Sequence, residues 1–182
     1  LVYEIEKMHH GTPSGIDNTV IVYEQPLLYQ RGRGFKQLNA FGQFCFVLGD
    51  SGHASLTRPA VEDVKRLYEK SETAKNIVTQ IGEITQKAEQ AIVRGDIHAL
   101  GRLLDINHTL LQKLTVSSEE LDHLVQAAKS AGALGAKLSG GGRGGIMVAL
   151  AKDQKHAGVI ADALSLAGAA HTYITTFGGS EK

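Results

Sequence analysis

Several features that would commit a chain to a special environment are missing here. Cys45 is the only cysteine, so no internal disulfide can form, and its setting, Phe-Cys-Phe-Val-Leu, suits a thiol buried in a strand better than a nucleophile. Lysine plus arginine number 19 and aspartate plus glutamate 19, which leaves no net charge to recruit nucleic acid or an anionic membrane. No apolar run reaches the ~18 residues that a membrane-spanning helix needs. The eight histidines show no spacing that calls for zinc, and the adjacent His9 and His10 diverge if that stretch is helical. What remains is a chain of 182 residues with an ordinary apolar share of 42%. That is enough for one well-buried core, in a protein expected in the cytoplasm with neither a nucleic-acid nor a membrane partner.

Two segments carry most of the chemistry. In the first, Glu6 to Asn18 (EKMHHGTPSGIDN), a carboxylate is presented by a Pro-Ser-Gly turn. Pro13 fixes φ, Gly15 frees it, and the apolar run that follows continues as a helix or strand. Asp17 therefore stands where a loop enters an ordered element. If that element is a helix, the unpaired amides at its start hold Asp17 ionised and attract a phosphate. The competing reading is that Asp17 or Asn18 only caps a helix.

In the second, Lys137 to Leu150 (KLSGGGRGGIMVAL), five of the six positions 140–145 are glycine, between two apolar runs. Backbone this bare can approach a ligand and point several amides at an anion. Gly140, Gly142 and Gly145 satisfy the dinucleotide-binding spacing, but that loop must lead from a strand into a helix, and Ile146 to Leu150 reads as a strand. A Walker-type loop is excluded because no Gly-Lys-Ser or Gly-Lys-Thr ending is present. A glycine-rich hairpin without a ligand is the plain alternative.

HGTPSGIDN followed far downstream by KLSGGGRGG resembles the second half of the mevalonate kinase family, within the GHMP small-molecule kinase superfamily. The resemblance runs from Glu6 to about Phe177. Between the two motifs, VLGDSGHASLTRPAVEDV (Val47 to Val64) is similar to the family's strand, Ser/Thr-bearing loop and helix start. NHTLLQKLTVS (Asn107 to Ser117) is similar to its substrate-side helix and turn. The PSGID form favours mevalonate kinases over galactokinases, homoserine kinases or phosphomevalonate kinases.

The family's earlier half, with its catalytic lysine and a Pro-x-x-x-Gly-Leu-Gly-Ser-Ser loop around the ATP phosphates, is not found in these residues. The chain is accordingly read as a fragment whose expected partner is that missing N-terminal half. Residues 1–42 are expected to be the tail of the N-terminal domain, 43–177 the C-terminal domain, and 178–182 a flexible tail. Apolar Val20, Ile21, Val22 and Leu27 would then lack cover, which favours a homo-oligomer.

Periodicity supplies the elements. Leu27 to Gln30 and Phe35 to Leu38 flank Arg-Gly-Arg-Gly as a hairpin. Phe44 to Leu48 is a buried strand. A helix starts near Thr57 with Val61, Val64 and Tyr68 on one face, and the stripe Ile77, Ile81, Ile84, Ala88, Ile92 runs on to Gly95. Asp96 starts a second helix. A third is capped by a box of Ser117 and Glu120 and ends near Gly132. Strands flank the glycine loop, a helix spans about Gln154 to Leu166, and His171 to Thr176 is the last strand. The order from Phe44 is β, three helices, β, β, α, β. The expected fold is α+β, a ferredoxin-like split β-α-β sheet with additional helices, as the family's C-terminal domain has.

The resemblance implies transfer of the γ-phosphoryl of ATP to the 5-hydroxyl of mevalonate in isoprenoid biosynthesis, with ATP and Mg²⁺ as cofactors and mevalonate as substrate. It makes Asp17 the catalytic residue, which orients the hydroxyl and accepts its proton, and Glu6 the magnesium ligand. Read alone, Glu6 is an unpaired surface carboxylate. Ser14, Gly15, Ser55, Thr57, Ser139, Gly140, Gly141 and Gly142 are implied to bind substrate or phosphate; for Thr57, helix capping competes. Arg143 stands where many members have a small residue, and either reaches a phosphate or points into water. His108 and Ser117 are candidates to border the substrate pocket. Two other functions stay open: a sister GHMP kinase acting on a sugar or amino-acid alcohol, and a non-catalytic module that binds a metabolite or a partner.

Overall fold

A computed structural model describes residues 26–30, 32–53 and 57–179. The chemistry-bearing turn with Glu6, Ser14, Gly15 and Asp17 lies outside the described residues, as do Ser55 and Val20 to Val22.

Alternation of apolar side chains makes β3 (Gln43–Asp50) the organising strand. Cys45 and Val47 are buried on one face, while Phe44, also buried, points to the other and stacks on Phe177 at 5.1 Å between ring centroids. Preceding it, β1 (Leu27–Gln30) and β2 (Gly34–Gln37) form the expected hairpin as a separate two-stranded sheet. After β3 come helices α1 (Thr57–Lys70), α2 (Glu72–Arg94), α3 (Ile97–Lys113) and α4 (Glu119–Ser130). Then follow β4 (Gly135–Ser139), β5 (Ile146–Ala151), α5 (Gln154–Leu166) and β6 (His171–Gly178).

The second sheet has the order β4-β5-β3-β6, and every neighbouring pair is antiparallel. It follows that β3 and β4 run the same way with β5 between them, and that β5 and β6 run the same way with β3 between them. Two split β-α-β units thus interleave, which is the expected ferredoxin-like α+β arrangement, with α1 to α4 filling the first crossover. One apolar cluster joins Val47, Met147 and Ala149 of the sheet to Leu121 and Leu124 of α4 and Ile160 and Leu164 of α5. A second joins Phe44 and Leu150 to Ala91 and Leu100.

Three local expectations are corrected. Four helices occupy the first crossover, not three, because Ser71 leaves helical φ (−134°) and its hydroxyl accepts the Ala74 N–H at 3.3 Å, so α1 ends and α2 begins afresh. The inward face of α1 carries Ala60, Val64 and Leu67, whereas Val61 and Tyr68 are exposed. Ser118 caps α4 by accepting from Leu121, and Ser117 instead donates to Asp122.

β4 lies at an edge of the sheet, where unpaired backbone groups invite foreign strands. Here α3 seals it. Asp105 Oδ1 accepts the Ala136 N–H at 2.9 Å, and one helical turn on, His108 Nδ1 accepts the Leu138 N–H at 3.3 Å. Helix and strand touch because two glycines face each other: a Cβ on Gly135 would stand 1.9 Å from the Gly101 carbonyl oxygen. Accepting at Nδ1 places the imidazole proton on Nε2, which lies 3.2 Å from Asp122 Oδ1 but off the line of a hydrogen bond. Burial pulls the His108 pKa down against the opposing pull of Asp122. The imidazole is therefore neutral in the fold, and acid must charge it.

His108→Leu strands the Leu138 N–H, so unfolding in urea should show a loss of about 1–3 kcal/mol at neutral pH. Because its folded pKa is lowered, the stability tied to neutral His108 is complete above the ordinary histidine pKa and lost as pH falls below ~6.5. That part of the acid dependence should be absent in the leucine variant. An unchanged acid profile would show that His108 does not titrate with unfolding.

Candidate functional site

Between β4 and β5 the chain makes the glycine loop, and its neighbours explain the composition. Gly140, Gly142, Gly144 and Gly145 all have positive φ, as does Arg143 at 58°. A Cβ on Gly142 would stand 1.9 Å from the Val116 carbonyl oxygen, and one on Gly144 2.8 Å from that of His53. Gly141 does not have positive φ; it is small for another reason, since a Cβ there would meet Thr57 Oγ1 at 2.8 Å. The Ser/Thr-bearing loop and the glycine loop, far apart in sequence, are therefore in contact through Thr57 and Gly141.

The loop is held from three sides. Val116 O accepts the Arg143 N–H at 2.8 Å, His53 O accepts the Gly145 N–H at 2.8 Å, and Gly145 O accepts the Ser51 N–H at 2.9 Å. A Cβ on Gly140 would meet nothing within 4 Å, and the amides of Gly140 and Gly141 have no partner among the described residues. The first residues of α1 approach the same spot through Thr57, bringing the positive end of a 14-residue helix. Amides without a partner among the described residues, beside a helix start and a hydroxyl, are groups that suit an anion with several oxygens.

The Arg143 side chain is bonded within the protein. Its Nη1 donates to Asp63 Oδ2 of α1 at 2.6 Å and its Nε to Thr115 O at 3.2 Å. The Asp63 carboxylate also accepts from Arg66, and these two guanidinium hydrogen bonds, Arg143's first, hold its pKa below the usual carboxylate range. His108 and Ser117 are likewise spoken for, His108 in sealing β4 and Ser117 on Asp122. Ser139, at the end of β4, pairs with Ile146 beside the loop.

Asp63, the Thr115 and Val116 carbonyls and His53 escaped the sequence reading, because backbone oxygens and long-range ion pairs leave no local pattern. Lys137 was missed too. It is half-buried on the strand that enters the loop, its Nζ donates to Leu138 O at 2.6 Å, and burial lowers its pKa. A cleft of 320 Å³ lies behind the loop between Ser51, His53, Glu120 and His123. It contains none of the residues expected to bind phosphate, and its two glutamates, Glu119 and Glu120, would repel an anion.

Gly142→Ala should unfold far more easily than the parent, because Val116 must move, whereas Gly140→Ala should cost only the left-handed strain of about 1–2 kcal/mol. Urea midpoints of the two variants decide this. Equal losses would mean that the Val116 contact does not constrain the loop.

Residues 88–170 match the family described as GHMP kinases C terminal. The mevalonate kinase of Thermococcus onnurineus is 38% identical over 174 residues, which cover 92% of this chain and 51% of that protein. That of Pyrococcus abyssi is 37% identical over 172 residues, 91% of this chain and 50% of the relative. The chain thus spans about half the length of the curated relatives it matches. Among solved structures, the L. major mevalonate kinase in complex with R-mevalonate superposes with a TM-score of 0.91 at 35% identity, covering 97% of this chain and 56% of that one. The mevalonate kinase of methicillin-resistant Staphylococcus aureus gives 0.71 at 32% identity, with 96% and 55% covered. By its fold, its glycine loop and these matches, the chain belongs to the GHMP kinase family through that family's C-terminal domain.

Proposed function

We propose that this chain is the C-terminal part of an ATP-dependent mevalonate kinase, which moves the ATP γ-phosphoryl to the 5-hydroxyl of mevalonate. The observation that carries the reading is the glycine loop, whose Gly140 and Gly141 amides have no partner among the described residues, with Thr57 beside it. Phosphoryl transfer requires mainly positioning and charge neutralisation, which backbone amides and a neighbouring helix start can supply without a covalent intermediate.

In this reading Ser139 and Gly140 to Gly142 line the phosphates, with Ser14, Gly15, Ser55 and Thr57 on the substrate side. Arg143 belongs to the loop's frame and not to the ligand shell. Asp17 orients the hydroxyl and takes its proton. Magnesium is commonly held by one or two carboxylates and the nucleotide's own phosphates. Glu6 is the proposed carboxylate, and the ion would neutralise phosphate charge. The proposed partner surface is that of the kinase's earlier half.

Two measurements test this. The 182-residue chain alone should not phosphorylate mevalonate, and a polypeptide that restores the earlier half should, in preference to homoserine or galactose. Transfer to one of those alcohols instead would move the reading to a sister kinase. In the restored enzyme Asp17→Asn should lower turnover by roughly 10² or more with little change in nucleotide affinity. Normal turnover in that variant would reduce the Pro-Ser-Gly-Ile-Asp turn to a helix cap.

A further inference from the structure

Among the described residues only two non-glycines have positive φ, Thr115 at 60° and Arg143 at 58°. They are in contact: Arg143 Nε donates to Thr115 O at 3.2 Å, and the Arg143 N–H donates to the next carbonyl, Val116 O, at 2.8 Å. Left-handed backbone costs a side-chain-bearing residue roughly 1–2 kcal/mol. At position 143, flanked by Gly142, Gly144 and Gly145, glycine would adopt the same turn without that strain. The arginine side chain must return something for it, and what it makes is the ion pair with Asp63 of α1.

We propose that Arg143 is a latch and a positioning residue: its ion pair with Asp63 ties the glycine loop to the middle of α1, its bonds to Thr115 O and Val116 O tie the loop to the 115–116 turn, and together they hold Gly140 and Gly141 ready for a ligand without touching one. Arg143 thus joins the glycine loop, α1 and the 115–116 turn. Arg143 and Asp63 are each about one-third exposed, at 32% and 33%, so the latch is an adjustable tie. An arginine so engaged has two of its donor nitrogens spent on the protein and is poorly placed to act as a phosphate ligand. The ligand part of this inference rests on the function proposed above; the latch itself does not.

The test separates the two. In the 182-residue chain, Arg143→Ala and Asp63→Ala should each raise amide exchange at Arg143 and Gly145 by about fivefold, with core amides of β5 unchanged. The exchanged pair Asp63→Arg with Arg143→Asp should restore protection, since aspartate tolerates left-handed φ and opposite charges again face each other. With inorganic pyrophosphate as probe, both alanine variants should bind about three- to fivefold more weakly, and the exchanged pair should recover. Unchanged exchange in the alanine variants, or no rescue by the exchanged pair, would overturn the latch. So would tighter pyrophosphate binding in Asp63→Ala, the result expected of an arginine freed to reach a phosphate. If pyrophosphate does not bind the parent chain at all while exchange behaves as stated, the latch stands and the phosphate-binding reading of the loop fails.

Discussion

The site depends on one carbonyl. Val116 O accepts the Arg143 N–H and at the same time leaves no space for a Cβ at position 142. The turn after α3 thereby dictates both the path of the glycine loop and its composition. A loop of nearly bare backbone would otherwise sample many conformations, since glycine loses more freedom on ordering than any other residue. Carbonyls of Val116 and His53 and the Asp63 carboxylate supply the order. Pre-set amides of this kind cost no reorganisation when charge arrives, the property that makes them useful in phosphoryl transfer.

The fold serves this arrangement by fixing its anchors. His53 follows β3, an inner strand of the sheet; Val116 follows α3; Asp63 sits on α1. Helix α3 is itself pinned to β4 through the Gly101–Gly135 contact and the Asp105 and His108 bonds to Ala136 and Leu138. The turn that grips the loop and the strand that enters it therefore belong to one packed unit. Displacement of α3 would be transmitted to position 116 and from there to Arg143.

Much of this was legible in the residues. Period-two and period-3.6 apolar patterns identified the four sheet strands and most helices, and glycine density marked the loop, because those signals are local. Ser71 was overlooked because the apolar pattern runs on through it, and a cap competes with such a pattern only through its own side chain. Ser117 and Ser118 are adjacent and chemically alike, so only geometry could assign the cap. Arg143 shows the limit most clearly: its options in sequence were phosphate or water, and its partner is an aspartate on a distant helix. Asp17, Glu6 and Ser55 were read from motifs alone and stand as proposals, together with the substrate they imply.

The most direct measurement is a crystal structure of a polypeptide that restores the kinase's earlier half, bound to a non-hydrolysable ATP analogue and mevalonate. A phosphate oxygen within about 2.7–3.2 Å of the Gly140 or Gly141 nitrogen, with Arg143 still on Asp63, is the predicted result. Phosphates seated elsewhere would contradict it.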